Sequence, residues 1–144
     1  TSDSHEVNSV VRNLARNIVR GDMDEALKLL QAFLSTVPYC DNTDYEGHYQ
    51  QMLYVIFSLL GIYTDVEVHT LKGRVDMVLR TKTTLYLVEL KLNQNAKTAM
   101  KQIDLQQYAD RFALCGLPVV KVAINFSAET RTIADWVISR ETYA

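Results

Sequence analysis

Two carboxylates and one lysine stand out in the 144-residue chain because they interrupt stretches whose pattern is typical of β-strands. Asp76 lies within residues 74–80, where polar and apolar side chains alternate, although Asp is disfavoured in the middle of a strand. Glu89 and Lys91 lie within the apolar residues 85–92 and are two positions apart, so they share one strand face at roughly 7 Å. If the two strands pair, Asp76 and Glu89 lie side by side.

This set of residues predicts metal-assisted hydrolysis. Adjacent carboxylates repel each other unless a cation lies between them. Mg²⁺ or Mn²⁺ suits such a pair, because hard cations prefer oxygen ligands. Lys91 would then orient an attacking water, or stabilise the charge that builds on a phosphate while a phosphodiester is hydrolysed. The alternative is an exposed polar strand face with a cross-strand ion pair.

The distribution of charge favours a local phosphate-binding strip, although the net charge of −2 argues against a nucleic-acid partner. Residues 72–101 carry seven basic and two acidic side chains, whereas residues 1–71 carry four basic and ten acidic ones. The positive segment surrounds the two carboxylates, and Lys72 and Arg74 are the expected contacts to substrate phosphates. A solvated basic face without a ligand is the alternative.

Apolar periodicity predicts a single domain over residues 1–144, with a helical hairpin in residues 1–40 and a core in residues 41–144. In the hairpin, Gly21-Asp22 separates two amphipathic helices and Pro38 ends the second. The core has the α/β order α-β-β-β-α-β around one mixed sheet, and its third strand is expected to be central. The expected elements are a helix at about 45–60, strands at 66–69, 74–80 and 85–92, a helix at about 96–115, a strand at 119–126, and a strand-like stretch at 130–138. Lys72-Gly73 is the expected hairpin turn between the first two strands.

Three further polar residues are candidates for the same site. Glu46 lies on the apolar side of its predicted helix, where an inward-facing carboxylate needs a partner. Its alternative role is that of a first-turn Glu favoured by the helix dipole. Gln102 and Tyr108 lie on the predicted helix after the third strand, either facing the site or as ordinary polar residues of the helix surface.

The histidines and cysteines match no ligand spacing. His5, His48 and His69 are therefore expected to be structural. Cys40 and Cys115 are expected to be reduced thiols, which favours a cytoplasmic location. No apolar stretch approaches the roughly 18 residues of a membrane span, so no membrane association is expected.

The order of these motifs resembles the PD-(D/E)xK nuclease superfamily. It is most similar to a branch abundant in Bacteroidetes, in which such a domain follows an N-terminal P-loop ATPase-like domain, and the late stretch 122–127 with Thr130-Arg131 also fits that branch. The segments that carry the resemblance are Glu46, Gly73-Arg74-Val75-Asp76-Met77-Val78, Val88-Glu89-Leu90-Lys91-Leu92, and Lys101-Gln102-Ile103 with Tyr108.

The resemblance implies a restriction-endonuclease-like αβββαβ core and a nuclease that cuts DNA or RNA with Mg²⁺ or Mn²⁺. It also implies nucleic acid as the partner and an ATPase-like domain before this one in the full-length protein, and it is compatible with an oligomer. The implied roles are metal ligation by Asp76, Glu89 and the backbone carbonyl of Leu90, catalysis by Lys91, an accessory acid at Glu46 that acts directly or through water, and supporting contacts from Gln102 and Tyr108.

Three functions follow as hypotheses. The first is a metal-dependent endo- or exonuclease. The second is a catalytically silent module that keeps the fold in order to bind nucleic acid or protein. The third is a regulatory or assembly domain for an ATPase partner, in which the helical hairpin of residues 5–37 docks on another domain.

Overall fold

The computed structural model describes residues 2–37, 45–71, 73–92 and 116–141. Within these ranges, three helices precede five strands, and a short 3-10 turn, Leu60–Ile62, follows the third helix. The elements are α1 Ser2–Val19, α2 Met23–Thr36, α3 Tyr45–Leu59, β1 Asp65–Leu71, β2 Arg74–Arg80, β3 Leu85–Leu92, β4 Val119–Ser127 and β5 Thr132–Glu141.

The five strands form one mixed sheet in the order β1-β2-β3-β4-β5. β3 and β4 are parallel, and the other neighbouring pairs are antiparallel. β3 is the central strand and is buried along its whole length, as its apolar sequence predicts. The predicted α/β fold class with a restriction-endonuclease-like sheet is therefore confirmed.

The predicted helical hairpin is also confirmed, and local chemistry explains its boundaries. Gly21 adopts a positive φ of 83°, which ends α1, and the side chain of Asp22 accepts a hydrogen bond from the backbone N–H of Glu25 at 3.2 Å. α2 ends at Thr36, because Val37 is extended with φ −66° and ψ 127°. A residue that precedes a proline is pushed towards this conformation.

Side-chain contacts attach α2 to β5. Gln31 donates a hydrogen bond from its side-chain amide Nε2 to the backbone carbonyl of Ile133 at 2.7 Å. The backbone carbonyl of Gln31 accepts one from the hydroxyl of Thr132 at 2.6 Å. The indole N–H of Trp136 donates to a carboxylate oxygen of Asp24 at 2.9 Å. The helical hairpin is therefore hydrogen-bonded to the edge strand β5 and also packs on the face of the sheet.

The two faces of the sheet differ in character. The helices pack on one face, where Leu30 and Leu34 of α2, Leu53 of α3 and Leu90 of β3 are fully or almost fully buried in the main core. The opposite face carries a smaller apolar cluster formed by Val78, Leu85, Leu87 and Val119. Because side chains alternate along a strand, this second face also receives the charged residues of β2 and β3.

The helix predicted at about 96–115, with Gln102 and Tyr108 on it, lies outside the described residues, as do Cys40, Cys115 and Lys72. Among the described helices, none combines the length and apolar character that crossing a membrane requires.

Candidate active site

The pairing of β2 with β3 brings the predicted charged residues together on one face of the sheet. Asp76 lies directly opposite Glu89, and Arg74 lies directly opposite Lys91. The two pairs are adjacent, since Arg74 and Asp76 are two residues apart, as are Glu89 and Lys91. The four side chains therefore form a compact square, with a carboxylate and a cation on each strand.

The turn between β1 and β2 is fixed by contacts from α3 and β3. Gln50 donates hydrogen bonds from its amide Nε2 to the carbonyls of Leu71 and Arg74, the latter at 3.1 Å. The backbone N–H of Leu92 donates to the carbonyl of Gly73 at 3.1 Å. Gly73 has a φ of 76°, a conformation that favours glycine in a two-residue hairpin turn. Gln50 thereby positions the start of β2, a role that sequence reasoning missed because the contact spans more than 20 residues.

Arg74 contacts both carboxylates at once. Its guanidinium places Nη2 at 3.2 Å from Oδ2 of Asp76 and Nη1 at 3.4 Å from Oε1 of Glu89. Lys91 places Nζ at 4.0 Å from the same Oε1. The side chains of Asp76 and Glu89 are 14% and 6% exposed, so these charges interact in a largely desolvated environment.

Three buried polar atoms of this cluster have no hydrogen-bond partner among the described residues. They are Oδ1 of Asp76, Oε2 of Glu89 and Nε of Arg74. Buried polar groups in folded proteins are nearly always hydrogen-bonded, and those that are not commonly mark a bound ion or a functional site. Here each of two facing carboxylates keeps one unsatisfied oxygen.

Burial raises the pKa of both carboxyl groups above their ordinary values. For Asp76, desolvation outweighs the opposing attraction of Arg74, His69 and Lys91. For Glu89, desolvation and then the negative charge of Asp76 raise the pKa, against the attraction of Lys91 and Arg74. The nearby cations therefore compensate the two negative charges only in part.

His69 also lies next to this cluster. It is the partner of Asp76 in the register of β1 with β2, and its Nε2 lies 3.0 Å from Oε1 of Glu67. Sequence reasoning assigned this histidine a structural role. The predicted hairpin turn at 72–73 contained the signal, because a two-residue connection pairs residue 71 with 74 and hence 69 with 76.

The remaining predicted site residues are placed only in part. Leu90 lies between Glu89 and Lys91, with its side chain in the main core and its backbone paired with Val75 and Ile124. Glu46 lies in α3 one turn before Gln50, and its side chain is outside the described residues. Lys72, Gln102 and Tyr108 are outside them altogether.

The donor set fits a hard divalent cation. Two facing carboxylates with unsatisfied oxygens offer the ligands that Mg²⁺ and Mn²⁺ prefer. Within the described residues, no group of three or more His, Cys, Asp and Glu side chains is arranged to hold a metal. Further ligands would therefore have to be backbone carbonyls, waters, substrate oxygens or side chains from elsewhere in the chain. Mg²⁺ commonly binds in this way, with few protein carboxylates.

A family model of the PD-(D/E)XK nuclease superfamily matches residues 44–136, which include α3, β1 to β4 and the first half of β5. The chain belongs to the PD-(D/E)XK nuclease superfamily. Members of this superfamily typically use divalent metals.

One curated relative is an "Uncharacterized protein in vnfD 5'region" of Azotobacter chroococcum mcd 1. It is 29% identical to the chain over 128 residues, which cover 84% of the chain. The chain spans only 25% of the length of that relative. No solved structure is significantly similar to the chain.

Proposed function

We propose that the protein is a metal-dependent nuclease that hydrolyses phosphodiester bonds in DNA, or in RNA, with Mg²⁺ or Mn²⁺. The observation that carries this proposal is the pair Asp76 and Glu89 beside Lys91. The two carboxylates face each other, and each has one buried oxygen without a hydrogen-bond partner among the described residues. Membership of the nuclease superfamily supports it.

Each residue has a definite task in this proposal. Asp76 and Glu89 hold the cation through their carboxylates, and the backbone carbonyl of Leu90 is a further ligand. The bound cation supplies Lewis acidity and an activated water. Lys91 orients the attacking water and stabilises the negative charge that develops on the phosphate, and its 10% exposed side chain acts where water screens charge little. Glu46 is the accessory acid.

Substrate contacts come from the basic residues near the start of β2. Lys72 and Arg74 contact the phosphate backbone of the substrate. Gln102 and Tyr108 are supporting residues near the substrate. The chain spans only 25% of the length of one curated relative, which supports a full-length protein with further domains. We propose that an ATPase-like domain precedes this one, that the protein is cytoplasmic and that it forms an oligomer.

Cleavage assays test the proposal directly. The purified protein is incubated with single-stranded and double-stranded DNA and with RNA, in Mg²⁺, in Mn²⁺ and in EDTA. Cleavage is expected only with metal, and Asp76→Asn and Lys91→Ala are expected to lower it by at least about 100-fold. Lys82→Ala is the matched control, because Lys82 is an exposed lysine in the turn between β2 and β3. Equal cleavage by the two site variants and the parent would refute the assignment.

A catalytically silent module is the second candidate. It is favoured by Arg74, whose guanidinium offsets negative charge on both carboxylates. Such a module would bind nucleic acid or protein but no divalent cation. Calorimetric titration with Mn²⁺ separates the two candidates, since only the nuclease is expected to show binding that Asp76→Asn abolishes.

A further inference from the structure

Arg74 spans two carboxylates with the two ends of one guanidinium. Nη2 lies 3.2 Å from Asp76 and Nη1 lies 3.4 Å from Glu89. An arginine that serves a single carboxylate commonly forms two parallel bonds to it. Here the positive charge is instead shared between the two residues that are the proposed metal ligands. Arg74 is thus the cation placed between them in the described structure.

The contacts of Arg74 are incomplete for a permanent ion pair. Charge-assisted N–H···O bonds are typically about 2.7–2.9 Å long, and both contacts here are longer. Nε of Arg74 and one oxygen of each carboxylate are buried without a partner among the described residues. A buried ion pair is stabilising only when its remaining protons and lone pairs are satisfied. The guanidinium therefore offsets charge at the pair without completing its hydrogen bonding.

Arg74 is also able to leave this position. Its side chain is 35% exposed, whereas Glu89 is 6% exposed, so the guanidinium lies at the solvent side of the cluster. The flexible arginine stem lets the head group move while its backbone stays fixed in β2 by the pairing with Lys91. Two cations on the same carboxylates would repel each other, so a metal ion and the guanidinium compete for these oxygens.

We propose that Arg74 is the resident counter-ion of the Asp76–Glu89 pair and that a divalent cation replaces it there. This inference rests on the proposed nuclease function. The displaced guanidinium is then free to contact a substrate phosphate, which arginine binds well. Metal binding and nucleic-acid binding thereby strengthen each other. The metal ion displaces Arg74 from the carboxylates, and a substrate phosphate stabilises Arg74 in its displaced position.

Metal titrations in the absence of nucleic acid test the exchange. We expect Arg74→Met to bind Mn²⁺ about tenfold more tightly than the parent, because the guanidinium no longer competes for the carboxylates. A tenfold change in affinity corresponds to about 1.4 kcal/mol of binding free energy. Arg74→Lys should fall between the two, since one ammonium is a point charge and does not span both carboxylates. An affinity of Arg74→Met equal to or weaker than that of the parent would overturn the proposal.

Arg80→Met is the matched control. Arg80 lies on the same strand and the same face as Arg74, six residues away, so roughly 20 Å along β2. It is paired with Asp65 at 2.7 Å on the surface. The same charge is removed from the same strand, and metal affinity should equal that of the parent. A tightening as large as that of Arg74→Met would indicate a long-range charge effect and would count against direct exchange.

A measurement on the parent protein makes the test independent of how well Arg74→Met folds. The Nε–Hε signal of Arg74 is assigned by its absence from the NMR spectrum of Arg74→Lys. We expect Mg²⁺ to shift this signal with the same dissociation constant that calorimetry gives, and Asp76→Asn to abolish the shift. A signal that stays unchanged while Mg²⁺ binds would show that Arg74 does not move.

The outcomes also separate this inference from the nuclease proposal. If Mn²⁺ binds through Asp76 and cleavage depends on it, while Arg74→Met does not tighten binding, only the exchange is wrong. If neither Mg²⁺ nor Mn²⁺ binds the parent and Arg74→Met binds none either, the nuclease proposal fails as well.

Discussion

Asp76 and Glu89 are direct cross-strand partners, and each keeps one buried carboxylate oxygen unsatisfied among the described residues. Like charges placed opposite each other in a sheet are destabilising. Arg74 and Lys91 reduce this repulsion, yet the pKa of both carboxyl groups remains raised. The fold therefore carries an electrostatic cost where Asp76 and Glu89 face each other.

Divalent metal is expected to stabilise the folded protein. A ligand that binds only the native state adds free energy of unfolding, about 2.7 kcal/mol when its free concentration is 100 times Kd. The midpoint temperature of thermal unfolding should therefore be higher in Mg²⁺ or Mn²⁺ than in EDTA. Glu89→Gln should lose this shift, because an amide is a weaker ligand than a carboxylate. A shift that persists undiminished in Glu89→Gln would mean that the metal binds elsewhere.

The stability of the metal-free protein should depend on the two carboxyl groups in a predictable direction. A group whose pKa is higher in the folded state favours folding when it is protonated. Its contribution is fully present below the ordinary values of 3.8 for Asp76 and 4.5 for Glu89, and is lost as the pH rises through the raised values. In EDTA, Glu89→Gln lacks the ionisation of Glu89, so at neutral pH it should be more stable than the parent.

Urea unfolding of the parent and of Glu89→Gln across about pH 4 to 8 measures this effect as a difference. The stability advantage of the variant should be smallest at the acid end and should grow with pH. Titrations of distant groups largely cancel in the difference. The repulsion between Glu89 and Asp76 is removed in the variant, which acts in the same direction. A variant that is less stable than the parent at pH 8 in EDTA would show that Lys91 and Arg74 outweigh burial, contrary to the raised pKa of Glu89.

Gln50 is expected to act as a positioning residue for the site. Its side-chain amide donates hydrogen bonds to the backbone carbonyls of Leu71 and Arg74. Gln50→Ala removes these bonds between α3 and the start of β2. Small misplacements in a catalytic site are costly, and we expect a loss in kcat of roughly 10- to 100-fold. The lost hydrogen bonds lower the free energy of unfolding by only about 1 kcal/mol each.

Gln51→Ala is the matched control for this prediction, since Gln51 is an exposed neighbour on the same helix. It should leave both kcat and the unfolding midpoint unchanged. Metal affinity gives a second readout, because Gln50→Ala should weaken Mn²⁺ binding while the circular dichroism spectrum stays that of the parent. Unchanged kcat and metal affinity in Gln50→Ala would remove Gln50 from the positioning of the site.

The periodicity of the sequence was sufficient to predict the two strands that carry the carboxylates. β2 and β3 begin and end at the predicted residues, because polar and apolar residues alternate in one and the other is continuously apolar. The short turn at 72–73 then fixed the register of β1 on β2. β5 extends to Glu141, three residues beyond its prediction, and a bulge at Asn125 and Phe126 interrupts its pairing with β4. Strand ends and bulges depend on tertiary contacts that a periodic pattern does not contain.

The contacts of long polar side chains were not predictable in the same way. Arg74 was expected to contact substrate phosphate, and in the structure its guanidinium lies on Asp76 and Glu89. Its conformation is decided by the buried charges around it, which become neighbours only after the strands pair. Gln50 likewise finds its acceptors across the gap between α3 and the β1–β2 turn. The roles of Glu46, Gln102 and Tyr108 stay predictions.

The helical hairpin is expected to unfold together with the sheet. Leu30 is 1% exposed in the core that α2 shares with the sheet, so Leu30→Ala should lower the free energy of unfolding by about 2–5 kcal/mol. Val19→Ala, at a position 53% exposed in the same hairpin, should change it by less than about 0.5 kcal/mol.

Two spectroscopic probes of different elements measure whether the hairpin and the sheet unfold cooperatively. Trp136 is the single tryptophan of the chain, lies on β5 and is hydrogen-bonded to Asp24 of α2, so its fluorescence reports the sheet edge. Far-UV circular dichroism at 222 nm reports mainly the helices. In a single cooperative unit the two transitions coincide, and Leu30→Ala shifts both equally. If Leu30→Ala shifts only the helical transition, the hairpin unfolds separately from the sheet and the prediction is wrong.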